Sequence, residues 1–520
     1  MRIRAALIGP SCAWEQILLQ EGFPYAVADL SRESLPDDYS VVIVHRPLNS
    51  LEKDAVEAYL RSGGGLLGDA RHCAGIGGTA IREERLEYLV GEGKNPFRSL
   101  LLADLVLPGA IPLEATHIRH QQNSFGAFAG PLAGGWAVLI PFSADTAVSD
   151  TRAADKTFYA RYERLPSERV SVVAKGEIRH LVREALEFLH VARGLPYAHL
   201  WYFPENATNV FAFRVDSDGA PRSDIETLHA IARERGIGLT WFLDVKSHEP
   251  WLQYFVAMVG QEIGVHCYEH RVDDSTGSNY MNFAKAKKIL EAVGLRPEGF
   301  AAPFGIWTHG LAAVTRELGF RYSSEFGFAY DTFPLAPATA TEVYGVLQVP
   351  VHPICVGSLR QVGYTPRQMQ GYFAMAAEWK MRRRDPLFFY HHPSHQAWDT
   401  VKSIFGWAAK TGVRPMTFGS YARWWEERGR VRPEIHIDGS WVRTDATTTV
   451  QAEEARVWLR IVRKGGKEAV IPISQRLELD MVTWSDPPAF QVPEDIRRVR
   501  EFDPRRVLGK LVNSMIRRMR

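Results

Sequence analysis

Cysteine is scarce in this chain, with 4 in 520 residues, and no two form a Cys-x-x-Cys pair. Cys12, Cys73, Cys267 and Cys355 therefore offer no disulfide framework, and a reducing compartment is expected. Long apolar runs are missing as well: none approaches the roughly 18 to 20 residues that a membrane-spanning helix needs. The first apolar run is cut at Gly9-Pro10, too early for the core of a signal peptide. The chain's start reads instead as a β-strand, and a cytoplasmic location is expected. An excess of either charge is also absent, since 62 Lys and Arg face 60 Asp and Glu, a formal net charge of +2. No global field draws nucleic acid, and no such partner is expected. What is present is 46% hydrophobic and 23% charged residues, a globular composition long enough for roughly two to four domains.

Strand and helix alternate through residues 1–195. Strands are predicted at 4–8, 25–29, 40–45, 66–69 and 136–141, with helices at 13–20, 51–61 and 178–192. The alternation predicts a doubly wound α/β domain, and it resembles the glutamine-amidotransferase-like and flavodoxin-like domains. That resemblance implies a cysteine elbow, which Arg71-His72-Cys73-Ala74-Gly75 matches only in part. Cys73 is read as an ordinary small residue, and the glycines at 75, 77 and 78 as a loop.

Residues 205–430 repeat the strand–helix unit, with strands at 210–215, 239–242, 262–265, 300–302, 322–324, 347–351 and 387–390. Polar residues gather at the carboxyl ends of these strands, which predicts a distorted (β/α) barrel with its site on that rim. From 431 to 490 the short alternating strands around Lys464-Gly465-Gly466-Lys467 predict a small β-domain. In 491–520, Val507, Leu508, Leu511, Val512, Met515, Ile516 and Met519 recur at helical spacing among arginines. That pattern reads as a basic amphipathic helix, suited to an anionic membrane surface or to packing on the protein itself.

The segment Glu262-Ile-Gly-Val-His266-Cys-Tyr-Glu-His270 places two histidines four apart, a spacing that on a helical turn lets both reach one cation. Upstream, a strand runs into Asp216-Ser217-Asp218-Gly219. One aspartate with two histidines is a metal set that leaves a position open for water, and a second aspartate can serve as base. The combination points to hydrolysis.

These motifs resemble those of the polysaccharide deacetylases, the NodB-homology group of metal-dependent carbohydrate N-deacetylases. The resemblance spans about 205–430 and adds Ala301-Ala302-Pro303-Phe304-Gly305 and Phe388-Phe389-Tyr390-His391-His392-Pro393 in the family's order. It implies a divalent metal, zinc with cobalt or manganese as alternatives, on Asp218, His266 and His270. Asp216 is then the base and His392 the acid, with His391 and His395 as alternatives. The backbone N–H of Phe304, next to Pro303, would face the oxyanion. An N-acetylated carbohydrate is the implied substrate. With the export signal missing, a glycolipid or lipid-linked precursor at the inner membrane surface is expected. Two other readings stay open, a hydrolase of a non-sugar C–N bond and a non-catalytic carbohydrate-binding or assembly protein.

One position departs from the family's pattern. The arginine that pairs with the catalytic aspartate is replaced by Ala301. Asp216 is therefore expected to lose an orienting partner and to titrate higher, unless Arg214 or Arg271 substitutes. Aromatic residues at Trp241, Tyr268, Trp307, Tyr390 and Trp398 read either as sugar-stacking surfaces or as packing.

Overall fold

The computed structural model describes residues 2–30 and 33–501; the basic tail pattern from Val507 onward lies outside them. In the N-terminal region, Ala5–Leu7, Tyr25–Val27, Val41–Val44, Gly65–Asp69 and Gly135–Ile140 pair in parallel. Helices Cys12–Glu21, Ser50–Arg61 and Lys175–Val191 accompany them. The sheet then continues with antiparallel strands Phe125–Leu132, His117–His120, Ile81–Val90 and Leu102–Pro112, nine strands in all. Cys73 is fully buried, and a Cβ added at Gly68 would meet its Sγ at 2.2 Å. It is a packing residue held against the strand.

The second region is a parallel sheet that curls into an open half-barrel. Its strands follow the order Leu347–Gln348, Tyr322–Ser323, Gly299–Phe300, Glu262–Cys267, Thr240–Asp244, Val210–Asp216 and Leu387–His391, with Arg414–Pro415 also on Val210–Asp216. Every residue of Val210–Asp216 is buried, as expected for a parallel strand covered on both faces. Helix Arg222–Glu234 buries Ile225, Leu228, Ile231 and Ala232, an i, i+3, i+4 stripe that packs on the sheet. Because all the strands run the same way, Asp216, Asp244, Cys267 and His391 end at one rim.

The C-terminal strands join sheets begun by distant parts of the chain. Ile435–Asp438 pairs antiparallel with Arg2–Ile3 and with Trp441–Arg443. Trp458–Val462 lies between Tyr197–Leu200 and Glu468–Pro472. The turn after Trp458–Val462 uses Gly465 and Gly466 at φ 90° and 79°, a region that favours glycine. Buried Arg428 locks the regions together by donating to the carbonyls of Leu19, Gln20, Leu200 and Trp201. Among the described residues, no helix is long and apolar enough to cross a membrane.

Candidate metal centre at the carboxyl rim

Strand Val210–Asp216 ends in a tight turn in which Asp218 and Gly219 take φ 35° and 66°. The left-handed conformation is costly for an aspartate, and two contacts hold it. The Ala220 N–H donates to the Ser217 carbonyl at 2.7 Å, and Ser217 Oγ accepts the Asp244 N–H at 2.8 Å. The turn carries Asp218 over the rim toward the next strand but one.

On Glu262–Cys267, Val265 and Cys267 enter the helix-side core, so strand alternation turns His266 the other way. His266 Nδ1 lies 2.6 Å from the Ala301 carbonyl, which only accepts, so the ring proton sits there. Nε2 is left with its lone pair, 3.1 Å from Asp218 Oδ1. His270 brings its Nε2 to 3.3 Å from the same oxygen. The two histidines converge without the expected helical turn, because His266 ends a strand and His270 sits in the bend beyond it. Asn282 clamps that bend: its Oδ1 accepts the N–H groups of Tyr268 and Glu269, and its Nδ2 donates to the Glu269 carbonyl.

The ligand atoms of Asp218, His266 and His270 lie within 4.8 Å of one another. Asp218 Oδ1 and His270 Nε2 are shielded from solvent and lack a hydrogen-bond partner. Orphaned buried polar atoms carry a cost that a cation would remove, and one carboxylate with two imidazoles suits zinc. The residues fit a divalent metal. Burial opposes charge on Asp218, but the facing His266 and His270 and the charge at His392 outweigh it and hold its carboxyl well below the usual range.

Asp216 has a cation after all. Arg214 Nε and Nη2 meet its two carboxylate oxygens at 2.7 and 2.5 Å, and both residues are buried. The expected loss of an orienting partner is corrected here, because residues two apart on a strand share a face. Burial favours the neutral acid at Asp216, yet the Arg214 guanidinium and its hydrogen bonds prevail and lower the pKa rather than raise it. Arg214 is itself fixed by Nη1 donating to the Ser324 carbonyl and Oγ. Arg271 instead contacts Glu269 and Asp273.

His391 and His392 face opposite ways at the end of their strand. His391 is fully buried beside Phe213, whereas His392 Nε2 reaches Asp218 Oδ2 at 3.3 Å and Asp216 Oδ2 at 3.9 Å. Burial disfavours its charged form, but Asp218, Cys355 and Asp216 overcome this and raise its pKa to about 10. His395 packs against His392 with ring centroids 4.8 Å apart. Pro303 is buried, while Phe304 takes φ 62°, is 63% exposed and sets its ring edge-on to His270 at 4.8 Å. Of the aromatic candidates, Trp241, Trp307 and Tyr390 are buried packing residues, and Tyr268 lies under the Lys285 ammonium at 3.5 Å.

No family model matches the chain, and no curated protein does. Among solved structures, it is similar to a Mycobacterium smegmatis protein described as a polysaccharide deacetylase. Identity is 16%, the match covers 43% of this chain and 92% of that one, and the TM-score is 0.37. An allantoinase aligns at 15% identity over 43% and 91% of the two chains, with a TM-score of 0.36. A family 4 carbohydrate esterase from Streptomyces lividans, solved with acetate, aligns at 13% identity over 40% and 92%, with a TM-score of 0.28. Likeness at this level carries no functional argument. What the fold and the rim define is an α/β half-barrel with an Asp/His/His group beside a second, arginine-paired aspartate.

Proposed function

We propose that this protein is a metal-dependent hydrolase that removes the acetyl group from an N-acetylated sugar. The observation that carries the reading is the Asp218, His266 and His270 cluster, with Asp216 and His392 both within reach of it. The three ligands would hold zinc, with cobalt or manganese as substitutes. When bound, such an ion supplies Lewis acidity, polarising an amide carbonyl and making water more acidic.

The protein's own groups handle the protons. Asp216, anionic at neutral pH and aligned by Arg214, accepts a proton from the attacking water as its oxygen bonds to the carbonyl carbon. The C–N bond then breaks, and the departing nitrogen takes a proton from His392 Nε2, giving acetate and a free amine. The Phe304 N–H faces the developing oxyanion, with Pro303 fixing the turn. The exposed Phe304 ring offers a face for a sugar. Recruitment to an anionic membrane through 491–520 rests on the sequence pattern alone, and unchanged binding to anionic vesicles after its removal would count against it.

The test is acetate release from N-acetylated glycans and glycolipids by the zinc-, cobalt- and manganese-loaded protein. Asp216→Asn and Asp218→Asn are expected to lose most of it. No acetate from any loaded form, or full activity in Asp218→Asn, would sink the proposal. Amine or ammonia release without acetate from small amides would favour a non-sugar substrate.

A further inference from the structure

Cys355, His392 and His395 form a second cluster, of which the hydrolytic reading uses only His392. Their ligand atoms all lie within 4.8 Å of one another. Cys355 is buried at the start of helix Val356–Gln361, and its Sγ has one neighbouring hydroxyl, Ser358 Oγ, at 3.6 Å. Nδ1 of His392 and Nδ1 of His395 are shielded from solvent, and the Cys355 thiol is the group both rings face. A thiol and two imidazoles, one of them freed by displacing the proton on His392 Nδ1, make a soft donor set.

The surroundings are shaped around His395. A Cβ at Gly357 would stand 2.2 to 2.9 Å from three atoms of its ring, so glycine is what lets the ring lie against the helix. Its carbonyl accepts from Arg360 Nη1 at 2.6 Å. The next two residues, Gln396 and Ala397, both take left-handed φ of 54° and 55°, a strain that persists only where the surroundings impose it.

We infer that Cys355, His392 and His395 are the protein ligands of a second metal site, selective for a thiophilic divalent ion of the zinc class. The site goes beyond the hydrolytic reading and does not depend on it. On loading, Cys355 and His392 Nδ1 each give a proton to solvent, Cys355 binds as thiolate, the two imidazoles bind as neutral rings, and a fourth position stays open. The two sites meet at His392. With Nδ1 committed to the second ion, its ring proton is confined to Nε2, the nitrogen 3.3 Å from Asp218. The second ion would displace the proton that makes His392 an acid, so filling this site would oppose the proton donation proposed for the first.

The experiment uses the full-length protein stripped of metal and titrated with Co2+, then with Zn2+. Thiolate-to-cobalt charge-transfer absorption reports Cys355, and elemental analysis gives stoichiometry. Wild type is expected to bind two equivalents and show the band. Cys355→Ser and His395→Gln should each retain one equivalent, with the band lost in the first and weakened in the second. Asp218→Asn should bind one equivalent and keep the band, so failure of the deacetylase reading leaves this result standing. A wild type without the band, or a band that survives Cys355→Ser at unchanged stoichiometry, overturns the inference.

Discussion

Replacing Arg214 by methionine removes a buried cation but keeps most of the side chain's apolar bulk, and a pH-dependent loss of stability is expected. The guanidinium meets both Asp216 oxygens at 2.5 to 2.7 Å. With charge centres about 4 Å apart and an effective dielectric near 20, the attraction is about 4 kcal/mol. Breaking such a pair typically costs about 3 to 5 kcal/mol, because one charge stays buried and alone. In the wild type, the depressed Asp216 pKa contributes stability above the unfolded carboxylate value of about 3.9. That contribution is lost as pH falls through the lower folded value. In Arg214→Met, burial acts unopposed by the guanidinium, the folded pKa rises, and the sign reverses. The cost is absent below about pH 4 and grows as pH climbs toward the raised value.

Thermal melting of metal-free protein between pH 5 and 8 reads this directly, without treating a multi-domain chain as two-state. The single variant's deficit should widen with pH. Arg214→Met/Asp216→Asn removes both charges of the pair, so its deficit should widen less with pH, through Glu325 alone, and it should melt above the single variant at pH 8. Both variants share a constant loss from the Ser324 oxygens, which lose their donor. A pH-independent deficit in the single variant, or a double variant that melts no higher at pH 8, would refute the assignment of Arg214 as the partner of Asp216.

Asn282→Ala frees the bend carrying His270, and zinc affinity at the Asp218 site should fall by roughly 10- to 100-fold, as measured by competition with a chromogenic chelator. Burial pushes Glu325 up to about 7, so its contribution to stability is full below the unfolded value of about 4.3 and falls as pH rises to 7. Glu325→Gln removes that loss, and its melting temperature should gain on wild type increasingly from pH 5 to 8; a constant offset would contradict the shift. Phe304→Ala touches an exposed ring, so stability should change by about 0.5 kcal/mol or less. Its KM for an N-acetylated glycan should nonetheless rise, and an unchanged KM would remove Phe304 from the binding surface.

The half-barrel was legible because its strands are short, mainly apolar runs that end in chemistry-bearing residues. Asp216, Asp218, His266, His270 and His392 all belong to such ends, and the structure brings them together. Arg214 was readable too, from its position two residues before Asp216 on the same face. Other features had no local signal. Cys355 meets His392 and His395 only through the packing of a helix that starts there. Ile81–Val90 contains Arg-Glu-Glu-Arg and forms a strand because its neighbours pair with it, a tertiary preference that overrides intrinsic propensity. The pairings of Arg2–Ile3 and Tyr197–Leu200 with the C-terminal region join segments far apart in sequence, which period and composition do not encode.

The pairing of Arg2–Ile3 with Ile435–Asp438 sets a schedule for biosynthesis. The first strand leaves the ribosome long before its partner is made. At about 5 to 20 residues per second, the wait is roughly 20 to 90 s, and Arg428, which stitches onto Leu19 and Gln20, arrives only shortly before the partner strand. During that interval the nascent N-terminal domain carries an open strand edge and unmet carbonyls, the features that invite chaperone binding or misassembly. A ribosome stalled before residue 428 should hold an N-terminal domain that proteases and holdases still recognise, and one stalled well beyond 440 should not.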